Sequence, residues 1–461
     1  MPAPLALLLT TIFVVFLFWR DVRERPPVTG ALWIPLLWML ILGSRGVSEW
    51  LSWGGTYNMA SGLEEGSPLD AAVYFSFQLA ALFVLLRRRL SWATALSHNP
   101  WVAIFLAYCA LAIFWSDFPF VALKRWIKVL AHPMMVLVLA TEPDPREAVV
   151  RLLKRSAYVL VPFSILLIKY YPALGRAFSP WTGEAYNTGV ATNKNILGCL
   201  CLILGFFFVW HFLTSMRREK TRERRNELVL CGAFLWMIGW LLSMADSATS
   251  VMALAVGIST VLFLGLRFVD KRHVTAYLVA ALLAFGSAEL IFGVSDTLIH
   301  ALGRDPTLTG RTEIWDVVLA VDINPILGAG FESFWLGDRA ERIWAKYWFH
   351  PNQAHNGYLE TYLNLGWLGL TLMVCWILSA FLRVGSTLLS DFDFGRFRMG
   401  LLAIVVVYNY TEGGFKGLSL IWFAFYIIAM DYPQARRPIE SESSSSRPWL
   451  ATPLAMHRRD A

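Results

Sequence analysis

Charge is the first thing this chain lacks. Only 16% of its 461 residues are Asp, Glu, Lys or Arg, against about a quarter in a typical globular protein. With so few charges and 57% hydrophobic residues, the chain does not divide into ordinary soluble domains. Cysteine is scarce as well: five in all, Cys109, Cys199, Cys201, Cys231 and Cys375, each inside an apolar run. Cys199 and Cys201 are two apart, which puts them on nearly opposite sides of a helix, and no CxxC pair occurs. Neither a disulfide framework nor a thiolate metal site is expected, and the thiols read as packing residues. HExxH, a Walker phosphate loop and GxSxG are also missing, which sets aside a zinc hydrolase, an ATPase and a serine hydrolase. There is no internal repeat of fixed period, a point against a transporter built from paired halves.

Long apolar runs are what the chain has instead. Hydropathy marks thirteen candidate spans: 3–19, 30–43, 70–86, 100–116, 118–140, 156–170, 196–216, 228–244, 250–267, 273–293, 366–383, 398–411 and 415–430. In lipid only a helix satisfies every backbone group within its own segment, so the expected fold is an all-α polytopic membrane protein of about 12–13 transmembrane helices. Its 21 Trp and 31 Phe suit a chain with two lipid–water interfaces. The first run has no basic flank and no clear cleavage site, so it is expected to stay as a span. The chain then divides into ten spans over 1–294, one large loop over 295–365, three spans over 366–431 and a Ser/Pro-rich tail over 432–461. That tail is polar enough to be expected disordered.

Basic residues fix the orientation. With the tail inside, 27 of the 40 Lys and Arg fall on inside segments, including the run 217–225, and ten fall outside. An excess of positive charge marks the cytoplasmic side. The basic run is a topology signal, because it has no interleaved aromatics or folded platform for nucleic acid. Lys124, Arg125 and Lys128 fall within the 118–140 span. Intramembrane cations line a polar path or are paired: these either guide an anionic lipid headgroup or meet Glu289, Asp246 or Glu412. Asp391 and Asp393 have a DxD spacing, but they fall on the inside, opposite the large loop.

The large loop is the one polar segment long enough to shape a site, and a second outside loop over 170–195 brings Arg176 and Lys194 to the same surface. Ile314, Val317, Val318 and Val321 recur at helical spacing, placing Arg311 at a helix N-terminus. Backbone N–H groups and the helix dipole favour an anion there. Arg311 is therefore either a diphosphate clamp or half of a salt bridge with Glu313 or Asp316. His355 precedes Asn356, a good N-cap, and a positive helix end favours a neutral imidazole able to accept a proton. His350 is its close competitor. Trp344 and Trp348 lie on an amphipathic stretch that either rests in the outer interface or covers a sugar.

Two stretches, GRTEIWDVVLAVDINPILGAGFESF and HNGYLETYLNLGWLGL, resemble the O-antigen polymerase/ligase superfamily of bacterial envelopes, with weaker support from WSDFP, GVATNKN and YNYTEGGF. The Trp-rich segment before residue 55 and the GVATNKN form are most similar to its exopolysaccharide polymerases. The resemblance implies a GT-C-like bundle with one large extracytoplasmic loop in the bacterial inner membrane, its active site on the periplasmic face. It also implies a metal-independent transfer, without a cofactor, of glycan from a polyprenyl-diphosphate carrier such as undecaprenyl diphosphate. Arg311 matches the family's diphosphate-binding arginine and His355 its reaction-centre histidine. Lys194 or Arg176 supplies the second cation, and inversion follows if displacement is direct. The implied acceptor is a lipid-linked repeat unit for a polymerase or lipid A-core for a ligase; a lipid-linked-glycan transporter is the reading from another class. The implied partners are membrane lipid, the lipid-linked donor and acceptor, and a flippase and chain-length regulator of the same pathway, with no nucleic acid.

The orientation has a direct test. Single cysteines placed in 295–365 should react with a membrane-impermeant thiol reagent on intact cells, and cysteines in 217–225 should be protected. The opposite pattern inverts the topology and takes the loop away from the outside.

Overall fold

A computed structural model describes residues 1–52, 66–179, 183–281 and 311–433. Regular structure among the described residues is helical apart from one two-stranded ribbon, Arg176–Phe178 against Ala185–Asn187. Among the described residues, five helices are long and apolar enough to cross a membrane: Ala3–Arg23, Pro68–Arg87, Lys194–Met216, Arg222–Ala245 and Gly357–Ser390. Shorter apolar helices, Gly30–Leu42, Pro100–Leu111, Ala248–Leu264 and Leu420–Ala429, pack among them. The chain writes its own helix starts. Ser67, Asp144, Asn193, Thr221, Asn356 and Ser419 each accept a hydrogen bond from a backbone N–H of the first turn, and Pro68, Pro100, Pro119 and Pro145 sit where the missing N–H costs nothing.

Most expected spans meet a helix, with shifted ends. The 398–411 segment is the second part of a twenty-residue helix, Phe392–Thr411. The candidate span 273–293 and the tail lie mostly outside the described residues. The 118–140 expectation is corrected: two helices, Pro119–Val129 and Ala131–Ala140, meet at Leu130. Pro133 is the physical reason, because it has no N–H to give the Val129 carbonyl one turn back. Phe120, Leu123 and Ile127 form an exposed apolar face on the first helix, and Lys124, Arg125 and Lys128 are half-buried beside it. The three cations therefore sit on a separate amphipathic helix, not midway along a through-going span.

Lys194–Met216 is the central helix, buried along most of its length against Arg222–Ala245, Ala248–Leu264 and Phe392–Thr411. It links two polar ends. At the far end, Asp21 pairs with Arg151 at 2.6 Å and Arg155 at 2.7 Å. Glu227 takes Lys154 at 2.7 Å, His211 at 2.7 Å and Arg20 at 3.0 Å. Asp393 takes Arg396 at 2.9 Å and Arg217 at 3.5 Å, while Asp391 caps its helix and pairs with Arg146 at 2.7 Å. Both carboxylates of the DxD spacing thus hold helices together. Buried charge is tolerated there because it is matched.

At the other end the large loop builds its own small core. Ile314 and Val318 pack with Phe334, Trp335, Ile343 and Leu363, and Val317 and Val321 border them. The loop is bolted to the last bundle helices by a backbone exchange. Gly366, at φ 64°, kinks the Gly357–Ser390 helix. The kink releases the carbonyls of Leu363 and Asn364 to the N–H groups of Ala329 and Gly330, at 3.0 and 2.9 Å. Trp367 N–H returns a bond to Pro325 at 2.9 Å. A Cβ on Gly366 would lie 2.2 Å from the Ile326 carbonyl oxygen. Gly366→Ala should therefore destabilise the protein by roughly 2 kcal/mol or more. Thermal unfolding of the detergent-purified variant reads this, and an unchanged melting temperature refutes the close approach.

Candidate active site

Glu412 is the hub of the polar end. It follows the Phe392–Thr411 helix in the YNYTEGGF stretch, and only 6% of its surface is exposed. A carboxylate so buried needs partners, and it has three. Arg311 Nη2 donates to Oε1 at 2.7 Å, Asn195 Nδ2 to the same oxygen at 3.0 Å, and His355 Nδ1 meets Oε2 at 3.3 Å. Burial alone pushes this carboxyl up, but the hydrogen bond from His355 and the charge of Arg311 outweigh it and hold the group below the usual carboxylate range. Glu412 is thus an anion that joins three chain segments.

Each partner is placed by local sequence logic. Arg311 lies on the helix described over Arg311–Leu319, which Ile314 and Val318 anchor in the loop core. Asn195 lies on the first turn of Lys194–Met216, set by the cap of Asn193 on Ile196 N–H at 3.0 Å. His355 stands just before the Gly357–Ser390 helix, where Asn356 caps both Tyr358 and Leu359 at 3.0 Å. Its backbone is left-handed, φ 51°. That conformation costs a non-glycine residue on the order of 1 kcal/mol, and such strain concentrates at functional sites. With Nδ1 turned to Glu412, Nε2 is the ring nitrogen left for a substrate.

His355 and Glu412 open on a cavity of about 1050 Å³. Lys194 and Lys416 bring positive charge to its wall, and Asn187, Asn195 and Gln353 bring neutral polar groups. Lys194 pairs with Asp246 at 3.2 Å on that wall. Lys416 Nζ donates to the Asn352 carbonyl at 3.0 Å and lies 3.7 Å from Glu360. The space holds several sugar rings or a diphosphate with its first sugar, since drug-sized pockets run from about 300 to 1,000 Å³.

Of the sequence candidates, Arg311 and His355 meet on Glu412, and Lys194 stands on the wall of the cavity that His355 and Glu412 also line, while Arg311 is not one of its lining residues. The Arg311 salt bridge is made with Glu412, in place of the expected Glu313 or Asp316. Arg176 is exposed on the outer strand of the ribbon, its Nη2 on the Ile168 carbonyl at 3.2 Å, and the opposite strand faces the cavity. Trp344 donates to the Pro351 carbonyl at 2.9 Å and stacks on His350 at 5.2 Å, while Trp348 is 63% exposed; neither lines the cavity. Arg125 donates to the Glu332 carbonyl beside the loop core, and Lys128 lies behind it on the same helix. Glu412, Asn195 and Lys416 were not picked out as site residues. The only signal was YNYTEGGF itself, a carboxylate and two glycines after an apolar run.

Residues 232–374 match the family described as Wzy_C: O-Antigen ligase. The chain is also similar to the exopolysaccharide production protein ExoQ of Rhizobium meliloti (strain 1021), at 27% identity over 303 residues, 63% of this chain and 66% of that protein. The similarity spans just under two thirds of that relative's length. The matched family segment contains Asp246, Arg311 and His355 and stops short of Glu412 and Lys416. Helical architecture, apolar spans and these two matches agree with the loop motifs: this multi-pass membrane protein is similar to the O-antigen ligase family over that segment and to ExoQ.

Proposed function

We propose that this protein is a polysaccharide polymerase of the bacterial inner membrane. It transfers a glycan from a polyprenyl-diphosphate carrier to a hydroxyl of a lipid-linked repeat unit, at a site on the periplasmic face. The observation that carries this reading is that a guanidinium and an imidazole from distant segments meet on one buried carboxylate, and that the imidazole, the carboxylate and a lysine line one large cavity. The chemistry needs those groups. A polyprenyl diphosphate leaves readily once its charge is held, and Arg311 with Lys194 would hold it without a metal. The acceptor oxygen attacks the anomeric carbon, the bond to the diphosphate oxygen breaks, and that oxygen keeps the electron pair. The hydroxyl proton passes to His355 Nε2. Arg125 and Lys128, on their amphipathic helix beside the loop core, are proposed to guide the headgroup from the lipid. Inversion at the anomeric carbon is expected, since both oxygens of Glu412, the carboxylate nearest His355, are engaged.

The ExoQ relative, named for exopolysaccharide production, favours the polymerase; the family description, O-antigen ligase, is the observation that supports transfer to lipid A-core instead. A deletion strain separates them. A polymerase leaves single repeat units on the carrier; a ligase leaves long chains on the carrier, unattached to the core. Repeat units held on the cytoplasmic leaflet would mean a transporter.

The site is tested with purified protein and lipid-linked repeat units. Arg311→Ala and His355→Ala should each lower transfer by about 100-fold or more while the protein still inserts. Arg311→Lys should lose at least about tenfold, because an ammonium lacks the planar fork. Activity should persist in a chelator. Parental transfer by His355→Ala, or loss of activity in the chelator, contradicts this chemistry.

A further inference from the structure

The triad around Glu412 is lopsided. Its bond from Arg311 is 2.7 Å and its bond from His355 is 3.3 Å, long for a charge-assisted contact. The one carboxylate therefore answers mainly to the guanidinium that the proposed function assigns to the diphosphate. Arg311 and His355 reach it from segments 101 and 57 residues away, and Asn195 from 217 residues away. Nothing local to Glu412 demands this meeting. Asn195 would keep the carboxylate in place if Arg311 were drawn off, because its amide donates to the same oxygen.

We propose that Glu412 is a positioning residue that couples donor binding to proton acceptance: a diphosphate engaging Arg311 takes its positive charge from Glu412, whose own charge then acts on His355. The inference rests on the proposed transfer reaction. A glycosyl diphosphate diester carries two negative charges. Arg311, Glu412 and a neutral His355 sum to zero, so the occupied site is doubly negative and favours an imidazolium on His355. The base is thereby strengthened only where a leaving group is in place, and free acceptor is not activated. After transfer the polyprenyl diphosphate has gained one charge, and the proton on His355 is delivered to it, restoring the neutral ring. Atoms and charge balance without an external reagent.

Other charged groups facing His355 leave this coupling intact. Lys194 is paired with Asp246 and Lys416 lies near Glu360, so both lysines have a carboxylate close by. Glu184 on the ribbon also lines the cavity, and Tyr408 and Cys199 close its floor as neutral groups. Glu412 is the acidic group in direct contact with both Arg311 and His355.

The test uses the full-length protein in nanodiscs, with undecaprenyl diphosphate as the binding probe and lipid-linked repeat units from a deletion strain as substrate. Glu412→Gln should bind undecaprenyl diphosphate within about threefold of the parent, or more tightly, because Arg311 is released. Its turnover should fall about 100-fold. The carboxylate favours the imidazolium, so removing it should move the rising limb of the turnover–pH profile to lower pH, by about one unit. Glu412→Asp keeps the charge and should keep the limb near its parental position with a smaller loss of rate. If Glu412→Gln does not insert, the aspartate variant carries the test: a limb displaced as far as one unit overturns the coupling. A glutamine variant that loses probe binding and rate together, or one with the parental rate and profile, also overturns it. Failure of the underlying reaction looks different: His355→Ala then transfers at the parental rate whatever Glu412 variants do.

Discussion

A carboxylate buried at the end of a helical bundle must be neutralised by whatever the chain can bring to it, and at Glu412 that demand organises the whole polar end. Its three partners come from the first turn of the central helix, from the start of the loop helix and from the turn before the kinked helix. Leaving such a charge unpaired costs several kcal/mol, so the ordering of three loops and the neutralisation of one anion are a single event. The cavity opens beside two of those partners, Asn195 and His355, and the glycine-mediated seam between 325–330 and 363–368 fastens the loop to the kinked helix.

The two ends of the bundle treat charge differently. At the far end, Asp21 and Glu227 are matched to arginines, lysine and histidine inside the packed helices, with Asp393 paired at their edge, and that end acts as a clamp. At the site end the matching is looser: one carboxylate serves a guanidinium and an imidazole, and Lys194 and Lys416 stand at the wall of a cavity. Tightly matched charge resists change, whereas charge held in a shared arrangement can be redistributed by an incoming anion. The left-handed backbones of His355 and Asp246, φ 51° and 46°, lie at this looser end, where the surrounding loops hold them.

Much of this was legible from periodicity and capping. The Ile314 and Val318 stripe announced the loop helix that carries Arg311; Asn356 announced the next helix and put His355 before it. These are local signals, and local signals survive in a single sequence. Glu412 was not legible as a hub because its partners are 101 and 57 residues away, and no periodicity records a contact of that range. Where Lys194 and Arg176 lie was not legible either: Lys194 stands on the cavity wall, whereas Arg176 is exposed with its Nη2 on the Ile168 carbonyl. The 118–140 run misled for another reason: hydropathy averages over Pro133, whereas the helix breaks just before it.

The measurement that bears most directly on this account is a structure of the protein in nanodiscs with undecaprenyl diphosphate bound. The account predicts the diphosphate in the cavity beside His355, its oxygens on the Arg311 guanidinium and within reach of Lys194, with the Glu412 carboxylate closer to His355 than the present 3.3 Å. A diphosphate seated instead among the basic residues of the far end, with Arg311 still on Glu412 at 2.7 Å, would contradict it.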